Sequence, residues 1–297
     1  MTEGAGAMGA APYSDVFYPA ADGLSLHARD YAGPGSALAP VLCLPGLTRN
    51  VRDFDGVAPV LAGRRRVVVA EQRGRGQSAW DPNPANYAPP VYVRDMGSLL
   101  DHLQIPKIVI VGTSLGGLMG MIMAATMKRR VAGLVLNDVG PELSPDGIRR
   151  IQQAVARQAE IGGWADAVAE LSRIHAETFA DYAAADWERM ARAIYRDGPE
   201  NRPVADYDPA ISIGVAATPM PPPDLWPVFA AIADTPILVL RGAVSDILSA
   251  ATVETMLRRH PLLGAVEVPL RGHAPTLDEP VALAALTGFL AGLGGAA

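Results

Sequence analysis

Six short, continuously apolar runs recur along the chain: "VLCL" from Val41, "RVVVA" from Arg66, "IVIVG" from Ile108, "GLVLN" from Gly133, "PILVL" from Pro236 and "AVEVP" from Ala265. A strand with one wet face alternates apolar and polar residues, whereas a strand covered on both faces does not, so these runs predict a parallel sheet with helices packed on either side. The segments between them carry the helical period. Phe54, Val57 and Leu61 share one face, as do Val93, Met96, Leu100 and Leu103. Near the N-terminus "DVFYPAADGLSLHARDYAG" reads as a hairpin turning at Asp22-Gly23, which places an antiparallel edge on the sheet. The expected fold class is therefore α/β, a mostly parallel doubly wound sheet with an antiparallel N-terminal edge.

The alternation of strand and helix stops between Gly140 and Pro223, where no convincing strand is visible. Three helical stripes fill this interval: Ile148, Ile151 and Val155; Trp164, Val168, Leu171 and Ile174; and Trp187, Met190 and Ile194. Proline-rich "TPMPPPD" closes it. The expected organisation is a core in two parts, 1–140 and 224–297, with residues 141–223 inserted as a helical cap.

Composition removes several function classes. With 49% apolar and 19% charged residues in 297, the chain can bury a large core. A formal net charge of -6, with the 25 Lys and Arg scattered, argues against nucleic acid as a partner. A single cysteine, Cys43, excludes an internal disulfide and, set in a core strand, is expected to be inert. No basic, apolar leader opens the sequence. The longest apolar run, Ile108 to Met127, is interrupted by Gly-Thr-Ser and Gly-Gly and reads as strand, turn and helix rather than a membrane span. A cytoplasmic protein with no membrane or nucleic-acid partner is expected. Isolated histidines and the lack of a carboxylate cluster at ligand spacing predict no metal, and no cofactor motif is present.

The chemistry is announced by Gly112-Thr113-Ser114-Leu115-Gly116, a G-x-S-x-G set directly after a strand and before a helix. Glycines on both sides let the serine stand on a tight, strained turn. A serine hydroxyl needs a base, itself oriented by a carboxylate. Of five histidines, His27 falls in the hairpin, His102 ends a helix, His175 lies in the cap and His260 sits at a helix C-terminus, all places that suit structural or surface roles. His273, in "PLRGHAPTLDEP", follows the last strand and shares the carboxyl edge of the sheet with Ser114. For the acid, Asp246 after "PILVLRG" gives the order Ser114, Asp246, His273; Asp138, at the end of "GLVLND", is the rival. The favoured reading is Asp246. Two backbone N–H groups would form an oxyanion hole, that of Leu115 and that of Leu47 in "PGLTRN". Arg49 is either a surface residue or a contact for an anionic group of the substrate. Arg73 is expected to tie down its turn by hydrogen bonds to backbone carbonyls. Trp80, Tyr92 and Trp164 are candidates to line a pocket.

Together, "LCLPGLTRN", "EQRGRGQS", "VGTSLGG", "LRGAVSDIL" and "RGHAPTLDEP" resemble the oxyanion loop, arginine-glycine turn, nucleophile elbow, acid loop and histidine loop of α/β-hydrolase fold enzymes. Pro45 replaces the common histidine of the oxyanion loop, and Glu71 the usual aspartate of the turn. The resemblance implies a serine hydrolase that cleaves a small carboxylic ester or lactone through an acyl-enzyme. It leaves open a carbon–carbon bond hydrolase or amidase of the same fold and, in another class, a ligand-binding receptor built on it. Serine at the elbow argues against haloalkane dehalogenases and epoxide hydrolases, which use a carboxylate there. Substrate identity and oligomeric state are not encoded in these motifs.

Overall fold

A computed structural model describes residues 12–156, 161–216 and 222–294. In chain order, strands β1 (Ser14–Pro19), β2 (Ser25–Tyr31) and β3 (Val41–Leu44) precede helix α1 (Ala58–Ala62), β4 (Val67–Ala70), α2 (Pro89–His102), β5 (Ile108–Thr113), α3 (Leu115–Thr126) and β6 (Val131–Asn137). Next come α4 (Pro145–Ala156), α5 (Trp164–His175), α6 (Ala184–Ile194), β7 (Tyr195–Asp197), β8 (Pro203–Ala205), α7 (Ile211–Ala216) and α8 (Trp226–Ala230). The chain then returns through β9 (Ile237–Gly242), α9 (Ala250–Arg259), β10 (Leu263–Val268) and α10 (Pro280–Gly292).

Eight strands form one sheet in the order β1-β2-β4-β3-β5-β6-β9-β10. All six expected runs are in it. The β1–β2 hairpin is antiparallel, and Gly23 adopts the left-handed backbone its turn requires (φ +86°). From β3 to β10 every neighbouring pair is parallel. The two faces of the central strands are both apolar. Leu42, Leu44, Ile110, Leu134 and Leu136 pack toward α2 and α3, whereas Val41, Cys43, Val109, Val111 and Val135 pack toward α1 and α10. Continuous hydrophobic runs are the consequence of that double coverage. β10 departs from the pattern because it is the edge strand: only Val268 is fully buried, and Glu267 pairs with Arg241 at 2.6 Å.

The chain order reverses about β3, since β4 lies to one side of it and β5 to the other. A crevice opens outside the carboxyl ends of strands at such a reversal. The loops after β3 and β5 therefore meet there.

Between β6 and β9 the structure departs from the sequence expectation in two respects. Alongside the expected helices, β7 and β8 form a two-stranded antiparallel hairpin. Its segments, Tyr-Arg-Asp and Pro-Val-Ala, lack a continuous apolar run and so carry no strand signal. α5 and α6 pack on each other through Ala167, Leu171, Phe179, Trp187 and Ala191. Ile174, counted in the stripe of α5, is instead 52% exposed. The "TPMPPPD" segment lies partly outside the described residues.

Arg73 ties down its turn by a different route from the expected one. It is buried and contacts three carboxylates: Asp95 at 2.6 and 2.8 Å, Asp22 at 2.8 Å, and Asp81. A buried guanidinium is more strongly compensated by carboxylates than by carbonyls.

Candidate active site

Ser114 begins α3 with φ 52° and ψ -115°, a strained conformation for a residue with a side chain. The flanking glycines are required by close approach. A Cβ on Gly116 would lie 2.0 Å from the Leu44 carbonyl oxygen, and one on Gly112 2.4 Å from the Gly116 backbone. The turn lifts Ser114 Oγ to 2.8 Å from His273 Nε2.

The other ring nitrogen, His273 Nδ1, lies 2.7 Å from Oδ2 of Asp138, not from Asp246. Asp138 is fully buried directly after β6, with φ 54° turning its carboxylate across the sheet edge. The Gly242 amide donates to it at 2.9 Å and the Ser245 hydroxyl at 2.6 Å. Asp246, the residue favoured from sequence, is displaced by the intervening turn. It lies four residues beyond β9, is half exposed, and receives Arg150 of α4 on both oxygens. Burial opposes its ionisation, but the Arg150 hydrogen bond and charge outweigh this and lower its pKa. Because β6 and β9 are neighbours, their following loops reach the same edge, and the loop after β9 contributes Gly242 and Ser245 rather than the acid.

The residues expected at the oxyanion hole flank Ser114. Leu47 lines the same cavity as Ser114, and Leu115 follows it at the start of α3. Neither amide donates to a carbonyl among the described residues, as is ordinary for the first N–H of a helix. The loop is braced from behind. Arg75, fully buried, donates to the Leu47 carbonyl through Nε at 2.8 Å and Nη2 at 2.7 Å, and through Nη1 to the Arg73 carbonyl and the Tyr92 hydroxyl. Glu71 accepts from the Val51 amide at 3.2 Å and the Gln77 amide at 2.7 Å, joining the oxyanion loop to the arginine-glycine turn.

Ser114 and His273 open into a cavity of about 470 Å³ that is also lined from α4, α5 and α6. Arg49 and His175 line it, the latter a residue whose sequence position gave no functional signal. Phe179, Tyr182, Ile151 and Met190 supply apolar walls. The aromatic residues expected there are elsewhere. Trp80 is 50% exposed on the surface, Tyr92 is buried behind the loop against Arg75, and Trp164 donates to Asp197 and stacks under Arg192. The segment between α5 and α6 also holds the histidine loop: the Gly272 amide donates to the Thr178 carbonyl at 2.9 Å, and Arg271 bridges Asp181 and Glu279. Among the described residues no helix is long and apolar enough to cross a membrane.

The model of the α/β hydrolase fold family matches residues 39–212. The chain is 37% identical over 286 residues to a 3-hydroxybutyrate-oligomer hydrolase of Cupriavidus necator, covering 90% of this chain and 94% of that protein. It is also similar, at 25% identity over 260 residues and covering 84% of this chain and 87% of the relative, to 2-(acetamidomethylene)succinate hydrolase of Mesorhizobium japonicum. Among solved structures, an α/β hydrolase from Novosphingobium aromaticivorans superposes with a TM-score of 0.90 at 44% identity, over 95% of this chain and 99% of that one. With its fold, its elbow and this extent of similarity, the chain belongs to the α/β-hydrolase fold family and is a hydrolase.

Proposed function

We propose that the protein is a serine hydrolase of carboxylic esters, with hydroxyacid oligomers as the leading substrate class. The observation that carries the reading is the hydrogen-bonded line from Ser114 Oγ through His273 to the buried Asp138 carboxylate, at 2.8 and 2.7 Å. The similarity to an oligomer hydrolase along most of both chains supports the substrate class.

In this reading Asp138 keeps the proton on His273 Nδ1, so that Nε2 has a free lone pair facing Ser114. As Ser114 Oγ bonds to the ester carbonyl carbon, its proton passes to Nε2, and the Leu47 and Leu115 amides receive the oxyanion. Collapse breaks the bond to the alcohol oxygen, which leaves with the proton from Nε2. Water then repeats the sequence on the acyl-enzyme, returning Ser114 and releasing the acid. Residues 141–223 act as the cap that shapes the alcohol and acyl subsites. No metal or cofactor takes part. Cys43, buried and with its thiol pushed up by that burial, is not a nucleophile and fits a reducing, cytoplasmic setting.

The test is hydrolysis of p-nitrophenyl butyrate by the wild type and by Ser114→Ala. Loss of the nucleophile is expected to lower kcat by at least about 10⁴-fold. An unchanged rate, or failure of a fluorophosphonate to add its mass at Ser114, overturns the reading.

A further inference from the structure

Several polar groups of the cavity have no part in the acyl-transfer line, among them Arg49, Arg150 and His175. Arg49 follows the oxyanion loop, its amide closing a turn on the Gly46 carbonyl at 3.2 Å. A Cβ built on Gly46 would lie 3.4 Å from Arg49 Cγ and 3.9 Å from Ser114 Cβ, so the arginine stem runs beside the nucleophile. Arg150 enters the same space from α4.

Both guanidinium groups are held in the same manner. Asp53 takes Nε of Arg49 at 2.8 Å and Nη2 at 2.5 Å. Asp246 takes Nε of Arg150 and its Nη2 at 2.8 Å. In each case the carboxylate occupies the side of the planar fork, and Nη1 donates to no acceptor among the described residues. A guanidinium has five N–H donors on two usable edges, and fixing it by one edge reduces the ordering cost of binding through the other. His175, which lines the same cavity, responds to both charges. Burial first, then the charges of Arg49 and Arg150, push its pKa down to about 4, with no carboxylate acting in the opposite sense. The field that repels a proton at this point attracts an anion. The neutral imidazole, in contact with Phe179 at a centroid distance of 6.1 Å, keeps one donor and one acceptor nitrogen.

We infer that Arg49 and Arg150, which line one cavity with His175, form a subsite for a free carboxylate carried by the substrate at a distance from the scissile ester. The inference deepens the ester-hydrolase reading and rests on it. A linear hydroxyacid oligomer has such a carboxylate at one end, whereas a simple alkyl ester has none. Asp53 and Asp246 are positioning residues that aim the two forks.

The test separates binding from turnover. In the Ser114→Ala protein, calorimetry compares the linear dimer of 3-hydroxybutyrate as the free acid and as its methyl ester, which differ in that charge and in one methyl group. The free acid is expected to bind about 10- to 100-fold more tightly, the range of a charge-assisted hydrogen-bonded pair. Arg49→Met and Arg150→Met, each in the Ser114→Ala background, are expected to move the acid-to-ester ratio toward one, and Arg49→Lys to restore part of it. Equal binding of acid and ester, no binding of either, or a ratio unchanged in both methionine variants overturns the inference. The comparison of acid and ester in the Ser114→Ala protein requires no arginine variant, so a variant that does not fold leaves a decisive measurement. Fluorophosphonate labelling of the wild type reads the hydrolase proposal separately: labelling without discrimination between the ligands sinks only the carboxylate subsite, and no labelling sinks the hydrolase reading beneath it.

Discussion

Asp138 and Asp246 make opposite predictions for the same conservative change. Asp138 is wholly buried, and its carboxylate accepts from Gly242 N at 2.9 Å, Ser245 Oγ at 2.6 Å and His273 Nδ1 at 2.7 Å. Asp138→Asn fills the same volume but has one acceptor oxygen. If that oxygen meets the Gly242 amide, the NH₂ faces His273 and donates to Nδ1, which moves the ring proton to Nε2. That tautomer cannot take the Ser114 proton. If the amide is flipped, the NH₂ meets the Gly242 N–H in a buried site with no acceptor between them. Either arrangement is expected to lower kcat about 10⁴-fold, equivalent to about 5.5 kcal/mol in the barrier at 1.36 kcal/mol per decade. Asp246, by contrast, is 44% exposed in a pair with Arg150, which is 47% exposed. Such a pair contributes at most about 1 kcal/mol, so Asp246→Asn is expected to cost no more than about fivefold in kcat on a neutral ester. Steady-state hydrolysis of p-nitrophenyl butyrate, with far-ultraviolet circular dichroism to check folding, gives both values. A folded Asp138→Asn protein within tenfold of the wild type, or a loss of about 10³ in Asp246→Asn, refutes the assignment.

Two further outcomes follow from the same framework. Arg75→Met removes the clamp on the Leu47 carbonyl, and kcat is expected to fall about tenfold or more, short of the 10²–10³ that loss of a whole oxyanion donor costs; weakened inhibition by a trifluoromethyl ketone should accompany it, and tight inhibition with low kcat contradicts the bracing role. Burial disfavours the His27 cation, but its hydrogen bonds to Glu71 at 2.7 Å and Asp15 at 2.8 Å raise the pKa above its ordinary value; this contribution to stability is fully present below the unfolded pKa of about 6.5 and is lost as pH rises through the folded value, so Tm should decline above neutrality in the wild type and decline less in His27→Gln, and parallel curves would disprove it.

The strand runs, the hairpin and the helices between β6 and β9 were legible because burial on two faces or one leaves a period in the sequence. The pairing of Ser114 with His273 was legible for a local reason: an elbow needs glycines at fixed offsets, and its partner needs a loop at the right sheet edge. The carboxylate that pairs with His273 was not, since Asp138 and Asp246 both follow strands that end side by side. What separates them is the left-handed backbone at Asp138 and the turn after Gly242, which no residue pattern specifies. His175 was missed for a similar reason. Its place in the cavity depends on how α5 folds back toward the sheet, a long-range contact without a sequence period. Trp80, Tyr92 and Trp164 show the converse, since an aromatic side chain carries the same apolar surface whether it faces a cavity or a neighbour.

The fastening of the histidine loop has a consequence for how motion reaches His273. The Gly272–Thr178 hydrogen bond and the Arg271–Asp181 ion pair join the base-bearing loop to the covering segment. A displacement of that segment large enough to break both contacts leaves the loop held from the core alone, by Asp138 on His273 Nδ1, by the Val244 amide on the Arg271 carbonyl and by Asn137 on the Pro275 carbonyl. The histidine loop thus has one side fixed to the sheet and one side shared with residues 178–181, and any motion of those residues is felt one residue from the imidazole.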